Sequence, residues 1–138
     1  MYTFCNGHAL DIHLGYTTRP HGDIDSSAYW EDRNTIIYLD YIEFLFNKRD
    51  ENDFIYFRND EIQRECNKAI LHKDGISYFA PELVLLYKST DLTRNENKQD
   101  FDLMRPHLSG ESREWLKNAL ITAFPDGYEW IERLEIQR

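Results

Sequence analysis

The sequence has few cysteines, no long apolar run and a deficit of positive charge. Its two cysteines, Cys5 and Cys66, lack the number and spacing of a disulfide scaffold or a metal-binding cluster, which favours a reducing, cytoplasmic compartment. No apolar run approaches the roughly 20 residues that a membrane helix requires, and the first residues lack the basic and apolar segments of a signal peptide. These absences predict a soluble cytoplasmic protein with no membrane partner.

Acidic residues outnumber basic ones, with 25 Asp and Glu against 16 Lys and Arg, which gives a formal charge of -9. An acidic surface repels phosphate backbones and anionic headgroups, so nonspecific binding of nucleic acid is not expected. An anionic ligand would need local help from a metal ion, from an arginine such as Arg19, or from backbone N–H groups.

The 138 residues, 41% hydrophobic and 14% aromatic, are enough to bury one core. Neither a repeat nor a linker divides them, so a single domain over residues 1–138 is expected. Short β-prone runs dominate residues 1–58, and helical patterns dominate residues 75–138. The predicted fold is α/β of the α+β type: a small mixed β-sheet with a C-terminal helical layer.

The first residues predict a strand, a glycine turn and a short helix in succession. Residues 2–5 are β-prone, Asn6-Gly7 ends this run, and residues 8–14 have apolar side chains at helical spacing. Such a turn directs unpaired backbone N–H groups at whatever lies beyond it, and phosphate is a common ligand there. Most Asn-Gly pairs are simply turns, so both interpretations of Gly7 remain open.

Two acids at the start of the next predicted strand, residues 24–30, form the motif with the most chemistry. If Asp23 and Asp25 flank Ile24 in a strand, both lie on one face, because side chains alternate with a period of two. Like charges this close raise the pKa of one acid unless a cation lies between them, and a hard divalent ion is a suitable one. The alternative is a pair of surface acids in a turn after Gly22.

A third acid, Glu43, lies in the first strand of a predicted hairpin. Residues 42–46 and 54–57 are β-prone, and the polar segment 47–53 separates them. An acid in a buried strand costs several kcal/mol to leave unpaired, so Glu43 needs a partner there. The alternative is that Glu43 lies on a solvated face and pairs with a lysine or arginine.

Helical patterns follow a turn signal at Asp74-Gly75. A helix is predicted from Pro81, at its first turn, through a fully apolar run to Lys88 at its end. Lys88 either contacts a ligand or simply favours the C-terminus of this helix. Three further helices are predicted, at residues 96–105, after the N-cap Ser109, and around Trp130.

Taken in their order along the chain, these motifs resemble those of aminoglycoside nucleotidyltransferase-like proteins, a family of the polymerase-β-like nucleotidyltransferase superfamily. The N-terminal resemblance lies in residues 6–11, Leu14-Gly15 and residues 18–25, and it covers the predicted turn and the paired acids. The downstream resemblance lies in Asp74-Gly75-Ile76, Ala80–Leu83, Leu85–Lys88, Asp100-Phe101, Arg113–Leu116 and Trp130.

This resemblance implies a magnesium-dependent nucleotidyltransferase with a nucleotidyltransferase-type sheet. Such an enzyme moves a nucleoside monophosphate from an NTP to a hydroxyl of a small molecule, here an aminoglycoside-like acceptor. Asp23, Asp25 and Glu43 would hold two Mg2+ ions, and Glu43 would also take the proton of the acceptor hydroxyl. The residues implied to bind the nucleotide are Gly7, Arg19 and Lys88.

Two other functions stay open at this point. The family usually has Gly-Gly or Gly-Ser where this chain has Asn6-Gly7, and its segment between the second and third acids is longer. A catalytically degenerate nucleotide-binding or interaction module on the same fold is therefore the alternative. A third candidate is a hydrolytic transition-metal site formed by His21 with Asp23 and Asp25, although no second histidine lies four residues from His21.

The short connection between Asp25 and Glu43 also predicts a homodimer. Without a helix before the first strand, part of the sheet would stay uncovered near aromatic residues such as Trp30 and Phe44. Uncovered apolar surface usually marks an interface, and a twofold dimer is the commonest form. Light scattering at micromolar concentration should give about twice the 16.6 kDa of one chain. A mass near 16.6 kDa would contradict the dimer and indicate that residues 26–41 cover the gap.

Overall fold

The structure is a computed structural model that describes residues 3–4, 6–16, 24–29 and 42–135. At residues 3, 6–8, 24–29 and 42–48 the description is that of the backbone. Within these ranges, no helix combines the length and the apolar character that crossing a membrane would require.

The chain divides into two compact units, Met1–Ala80 and Pro81–Arg138. The first unit contains the β-sheet and the second is helical, as the sequence predicts. The boundary differs from the predicted one, because residues 76–79 form a strand of the sheet rather than part of the helical region. Residues 63–65 and 70–73 are also strands, so the sheet extends well beyond residue 58.

In the described part of the first unit, seven strands form one mixed sheet. The pairs β1–β7 and β2–β3 are parallel and the remaining pairs are antiparallel, which confirms the predicted mixed sheet. The strands are β1 (Thr3–Phe4), β2 (Ile24–Tyr29), β3 (Ile42–Asp50), β4 (Asp53–Ile55), β5 (Gln63–Glu65), β6 (Ile70–Lys73) and β7 (Ile76–Phe79), in the spatial order β5-β4-β3-β2-β1-β7-β6.

Two helices belong to this unit, α1 (Asn6–Leu14) and α2 (Cys66–Ala69). Helix α1 begins two residues before its predicted start and ends as predicted at Gly15. The N–H of Gly15 donates to the carbonyl of Asp11 at 2.8 Å, and its φ of +83° suits a residue without a Cβ. Ala9 and Leu10 are fully buried, so α1 packs against the unit through its apolar side.

The sheet curls strongly. Phe54 of β4 and Phe79 of β7 pack edge to face with their ring centroids 5.5 Å apart. Three strands lie between β4 and β7 in the sheet, which would separate them by about 19 Å if the sheet were flat. Both rings are buried, so the curl encloses an apolar core on its concave face.

Two tight hairpins shape the edges of this sheet. In the first, β3 pairs with β4 as far as Asp50 opposite Asp53, so the predicted loop 47–53 shrinks to two residues. The ladder extends because antiparallel hydrogen bonds join backbones, and polar side chains do not interrupt them. In the second, Asp74 and Gly75 join β6 to β7 with φ values of 53° and 78°, which matches a type I′ turn.

The second unit consists of helices, and the structure confirms the predicted starts at Pro81 and after Ser109. Pro81 occupies the first position of its helix, and the hydroxyl of Ser109 accepts a 3.1 Å hydrogen bond from the N–H of Ser112. The helices are α3 (Pro81–Lys88), α4 (Asn95–Met104), α5 (Gly110–Ala123) and α6 (Glu129–Glu135), with a 3-10 turn at Arg105–His107.

An aromatic cluster joins the ends of this helical unit. Phe101 of α4 stacks on Trp130 of α6 with centroids 4.2 Å apart, and both side chains are fully buried. Tyr128 packs edge to face on Trp130 at 5.5 Å, and its hydroxyl donates to the carbonyl of Ser89 at 2.8 Å. Burial raises the pKa of Tyr128, with the charge of Glu129 acting in the same direction, so this hydroxyl keeps its proton and its role as donor.

The turn between β6 and β7 gives a test of this backbone geometry. Gly75→Ala should destabilise the protein by about 1 kcal/mol, because a Cβ is unfavourable at positive φ. Gly110→Ala is the matched control, since Gly110 lies in the first turn of α5 with open space around it. It should raise the free energy of unfolding by about 0.5 kcal/mol. Urea unfolding measures both changes, and equal effects of the two variants would contradict the assigned turn.

Candidate functional site

The parallel pairing of β2 with β3 brings two of the predicted site positions together. Asp25 is the register partner of Glu43. Partners on neighbouring strands lie about 4.8 Å apart and share one face of the sheet. Acids at neighbouring positions on one face repel each other, and a cation between them relieves this repulsion.

The same end of the sheet contains the start of α1. Strand β1 runs antiparallel to β2 with Phe4 opposite Ser26, so the C-terminal end of β1 lies beside the N-terminal end of β2. A single residue separates β1 from α1, and Gly7 is the second residue of that helix. The first turn of α1 and the 25–43 pair therefore lie at one end of the sheet.

The register also assigns the two acids to a face. Phe4 is the partner of both Ser26 and Tyr78, so residue alternation places positions 25 and 43 on the face opposite Tyr78. The concave face of the curled sheet contains Phe54 and Phe79 and is this same face. Helix α1 lies on the other face, where it contacts Tyr78.

The electrostatics of this end of the sheet suit a metal-bound anion. The first turn of α1 contains no acidic residue, so its unpaired N–H groups and the helix dipole favour a negative group. Asp25 and Glu43 offer oxygen ligands to a hard cation. A phosphate ester with its divalent ion would satisfy both requirements.

Lys88, predicted to bind the nucleotide, lies in the second unit and is 8% exposed. Its Nζ is 2.9 Å from Oδ2 of Asp100 and 3.5 Å from Oδ1 of Asn97. The Asn97 side chain donates in turn to the carbonyl of Asp91 at 2.6 Å. The sequence pattern suggested that Lys88 emerges at the end of its helix. It is buried instead, because α4 packs against α3 and provides it with a buried counterion.

Three other predicted residues, Arg19, His21 and Asp23, lie outside the described residues. Among the side chains that the structure describes, no group of three His, Cys, Asp or Glu residues could hold a metal ion. The side chains of Asp25 and Glu43 are not among them, so the predicted magnesium site and the alternative site at His21 both stay predictions.

The sequence did not predict the residues that hold the other end of α1. His13 of α1 contacts the hydroxyl of Tyr78, and Lys73 of β6 contacts the carbonyl of Ile12. The partners of these contacts are 65 and 61 residues apart in the sequence. A glycine after the helix was the one local signal of this end, and it does not identify partners from another strand.

Comparison with known protein structures identifies the fold. No protein-family model and no curated protein matches the sequence. A solution structure of the antibiotic-resistance factor ANT(2'')-Ia matches with a TM-score of 0.59 and 16% identity, over 91% of this chain and 84% of that chain. This chain has the fold of an aminoglycoside nucleotidyltransferase. A crystal structure of ANT(2'')-Ia in complex with adenylyl-2''-tobramycin matches with a TM-score of 0.49 and 16% identity, over 96% and 83% of the two chains.

The nucleotidyltransferase fold predicted from the sequence motifs is thereby confirmed. Within it, the pair of positions 25 and 43 lies in the sheet unit, and Lys88 lies in the helical unit.

The buried ion pair of Lys88 gives a stability prediction. Lys88→Met removes the cation that lies 2.9 Å from the buried carboxylate of Asp100, which should lower the free energy of unfolding by about 3–5 kcal/mol. Lys98→Met is the control, because Lys98 is an exposed lysine on α4, and it should change stability by about 0.5 kcal/mol or less.

Urea unfolding of both variants measures these two changes in the free energy of unfolding. Equal stability of Lys88→Met and the unsubstituted protein would contradict a structural role for the ion pair. These measurements do not test the predicted phosphate role of Lys88, in which a phosphate would have to compete with Asp100 for the ammonium group.

Proposed function

We propose that this protein is a cytoplasmic, magnesium-dependent nucleotidyltransferase that transfers a nucleoside monophosphate from an NTP to a hydroxyl of a small molecule. The observation that carries the proposal is the register of Asp25 with Glu43 beside the start of α1. This register occurs in a chain with the fold of an aminoglycoside nucleotidyltransferase.

The donor set fits the proposed metal. Asp25 and Glu43 are neighbouring carboxylates, and Asp23, two residues before Asp25, would be the third. Mg2+ prefers oxygen ligands of this kind, and two such ions held by these acids would neutralise phosphate charge and make the acceptor hydroxyl more acidic.

The residues of the chain have separate parts in the transfer. Glu43 accepts the proton of the acceptor hydroxyl, whose oxygen forms a new bond to the α-phosphorus of the NTP. The bond from this phosphorus to the bridging oxygen breaks, and pyrophosphate leaves with the electron pair. The N–H groups around Gly7 and the guanidinium of Arg19 bind the negative phosphates and hold the NTP in line with the acceptor.

The proposed acceptor is an aminoglycoside-like compound with several amino groups. ANT(2'')-Ia is an antibiotic-resistance factor, and one of its structures contains an adenylylated tobramycin. The formal charge of -9 is compatible with such a cationic acceptor, since opposite charges increase the rate of encounter.

Binding and transfer test this function in two steps. Calorimetry with ATP, GTP, CTP and UTP in the presence of Mg2+ should detect binding of at least one nucleotide, and pyrophosphate release with a panel of aminoglycosides should detect transfer. Absence of nucleotide binding at millimolar concentration would contradict the enzyme. Binding without transfer to any acceptor would favour the alternative, a catalytically degenerate nucleotide-binding or interaction module.

Substitutions of the three acids separate their roles. Asp23→Asn and Asp25→Asn should each abolish magnesium-dependent nucleotide binding and leave the fold intact, because they remove a metal ligand and a repulsive charge. Glu43→Gln should retain most nucleotide affinity and lower kcat by about 100-fold or more, the usual contribution of a general base.

Glu61→Gln is the matched control for these variants, because Glu61 is an exposed acid of the same unit and loses the same charge. Nucleotide Kd, kcat and circular dichroism should all be unchanged in it. Full transfer activity in Glu43→Gln would remove Glu43 from the mechanism.

A further inference from the structure

The C-terminal end of α1 is held by the β6–β7 hairpin. Nδ1 of His13 is 3.2 Å from the hydroxyl of Tyr78, and the two rings lie 5.9 Å apart. Nζ of Lys73 donates to the carbonyl of Ile12 at 3.3 Å. This carbonyl belongs to the last turn of α1, where no backbone donor of the helix reaches it and a cation complements the helix dipole.

These contacts close a ring through the fold. Strand β1 leads through one residue into α1, α1 leads to His13, and His13 contacts Tyr78, which is the register partner of Phe4 in β1. The strand that precedes α1 and the strand that holds its far end are therefore parallel neighbours. Both ends of the helix are therefore connected to neighbouring strands of the sheet.

Helix α1 transmits this restraint because a helix is stiff. Its nine residues span about 14 Å, so a tilt of about 10° displaces one end relative to the other by about 2 Å. A hydrogen bond to a phosphate oxygen tolerates only a few tenths of an ångström around its ideal length. Contacts at His13 thus influence how the N–H groups at the opposite end are aimed.

We propose that Tyr78 and Lys73 are positioning residues for the nucleotide, because they orient α1 and with it the N–H groups around Gly7. This inference rests on the proposed function, and neither residue touches the nucleotide in it. Tyr78 is 5% exposed, so most of its side chain is removed from solvent. Burial raises the pKa of Tyr78, so its hydroxyl is protonated at neutral pH.

Tyr78→Phe tests the positioning role, because it removes the hydroxyl and keeps the buried ring. Calorimetry should use whichever of ATP, GTP, CTP and UTP the unsubstituted protein binds most tightly, with Mg2+. The variant should bind this nucleotide about fivefold more weakly, the equivalent of one hydrogen bond, while the KM of the acceptor is unchanged. Lys73→Met should weaken binding about twofold, and Lys73→Arg should restore it.

Ser77→Ala is the matched control on the same hairpin. The hydroxyl of Ser77 is 3.0 Å from Nδ1 of His72 in an exposed contact on the face opposite Tyr78, so its loss removes a comparable contact that does not involve α1. Nucleotide affinity in this variant should equal that of the unsubstituted protein. Weakening equal to that of Tyr78→Phe would overturn the inference, since it would show a general effect of the hairpin.

Hydrogen exchange of the ligand-free protein provides a readout that does not need activity. Amides of the first half of α1 should exchange several-fold faster in Tyr78→Phe than in Ser77→Ala. A lower melting temperature with unchanged nucleotide Kd and unchanged exchange would show a merely structural role. If the unsubstituted chain binds none of the four nucleotides, the proposed function fails and this inference with it. If it binds one and Tyr78→Phe binds it equally well, the positioning role fails and the function stands.

Discussion

The parallel register of β2 with β3 is the constraint on which the candidate site depends. A slip of one residue would move Glu43 to the opposite face and leave Asp25 without its neighbouring acid, because side chains alternate along a strand. The same slip would change the face of every position of β3 relative to β2. The candidate site therefore requires this one register.

The site combines features that would be unfavourable separately. Neighbouring acids repel, and a helix start without an acidic side chain leaves its N–H groups without charge compensation. In the proposed function, a nucleotide with its divalent ion would supply both charges at once. Its binding would stabilise the folded protein, and the contact of His13 with Tyr78 would orient α1 before the ligand binds.

The helical unit uses a buried charge differently. Lys88 and Asp100 are both nearly inaccessible to solvent, so each carries a desolvation cost that the other offsets. Asn97 extends this pair to the backbone at Asp91, and the ring of Phe101, the residue after Asp100, stacks on Trp130. Polar and aromatic contacts thus fix adjacent residues of α4 to different partners.

The sequence by itself determined the elements whose signals are local. The Pro81 start, the Ser109 cap, the Gly15 end of α1 and the Asp74-Gly75 turn depend on the backbone preferences of a few consecutive residues. The short strands β5 and β6 have no such pattern, and each is fixed by antiparallel pairing with a neighbouring strand of the chain, β4 and β7. The family resemblance grouped Asp25 with Glu43 and assigned Lys88 to a ligand, but register and burial are properties of segments far apart in the chain. Tertiary structure therefore decided which acids are neighbours and that Lys88 contacts Asp100, because strand pairing and helix packing bring together residues that no local pattern relates.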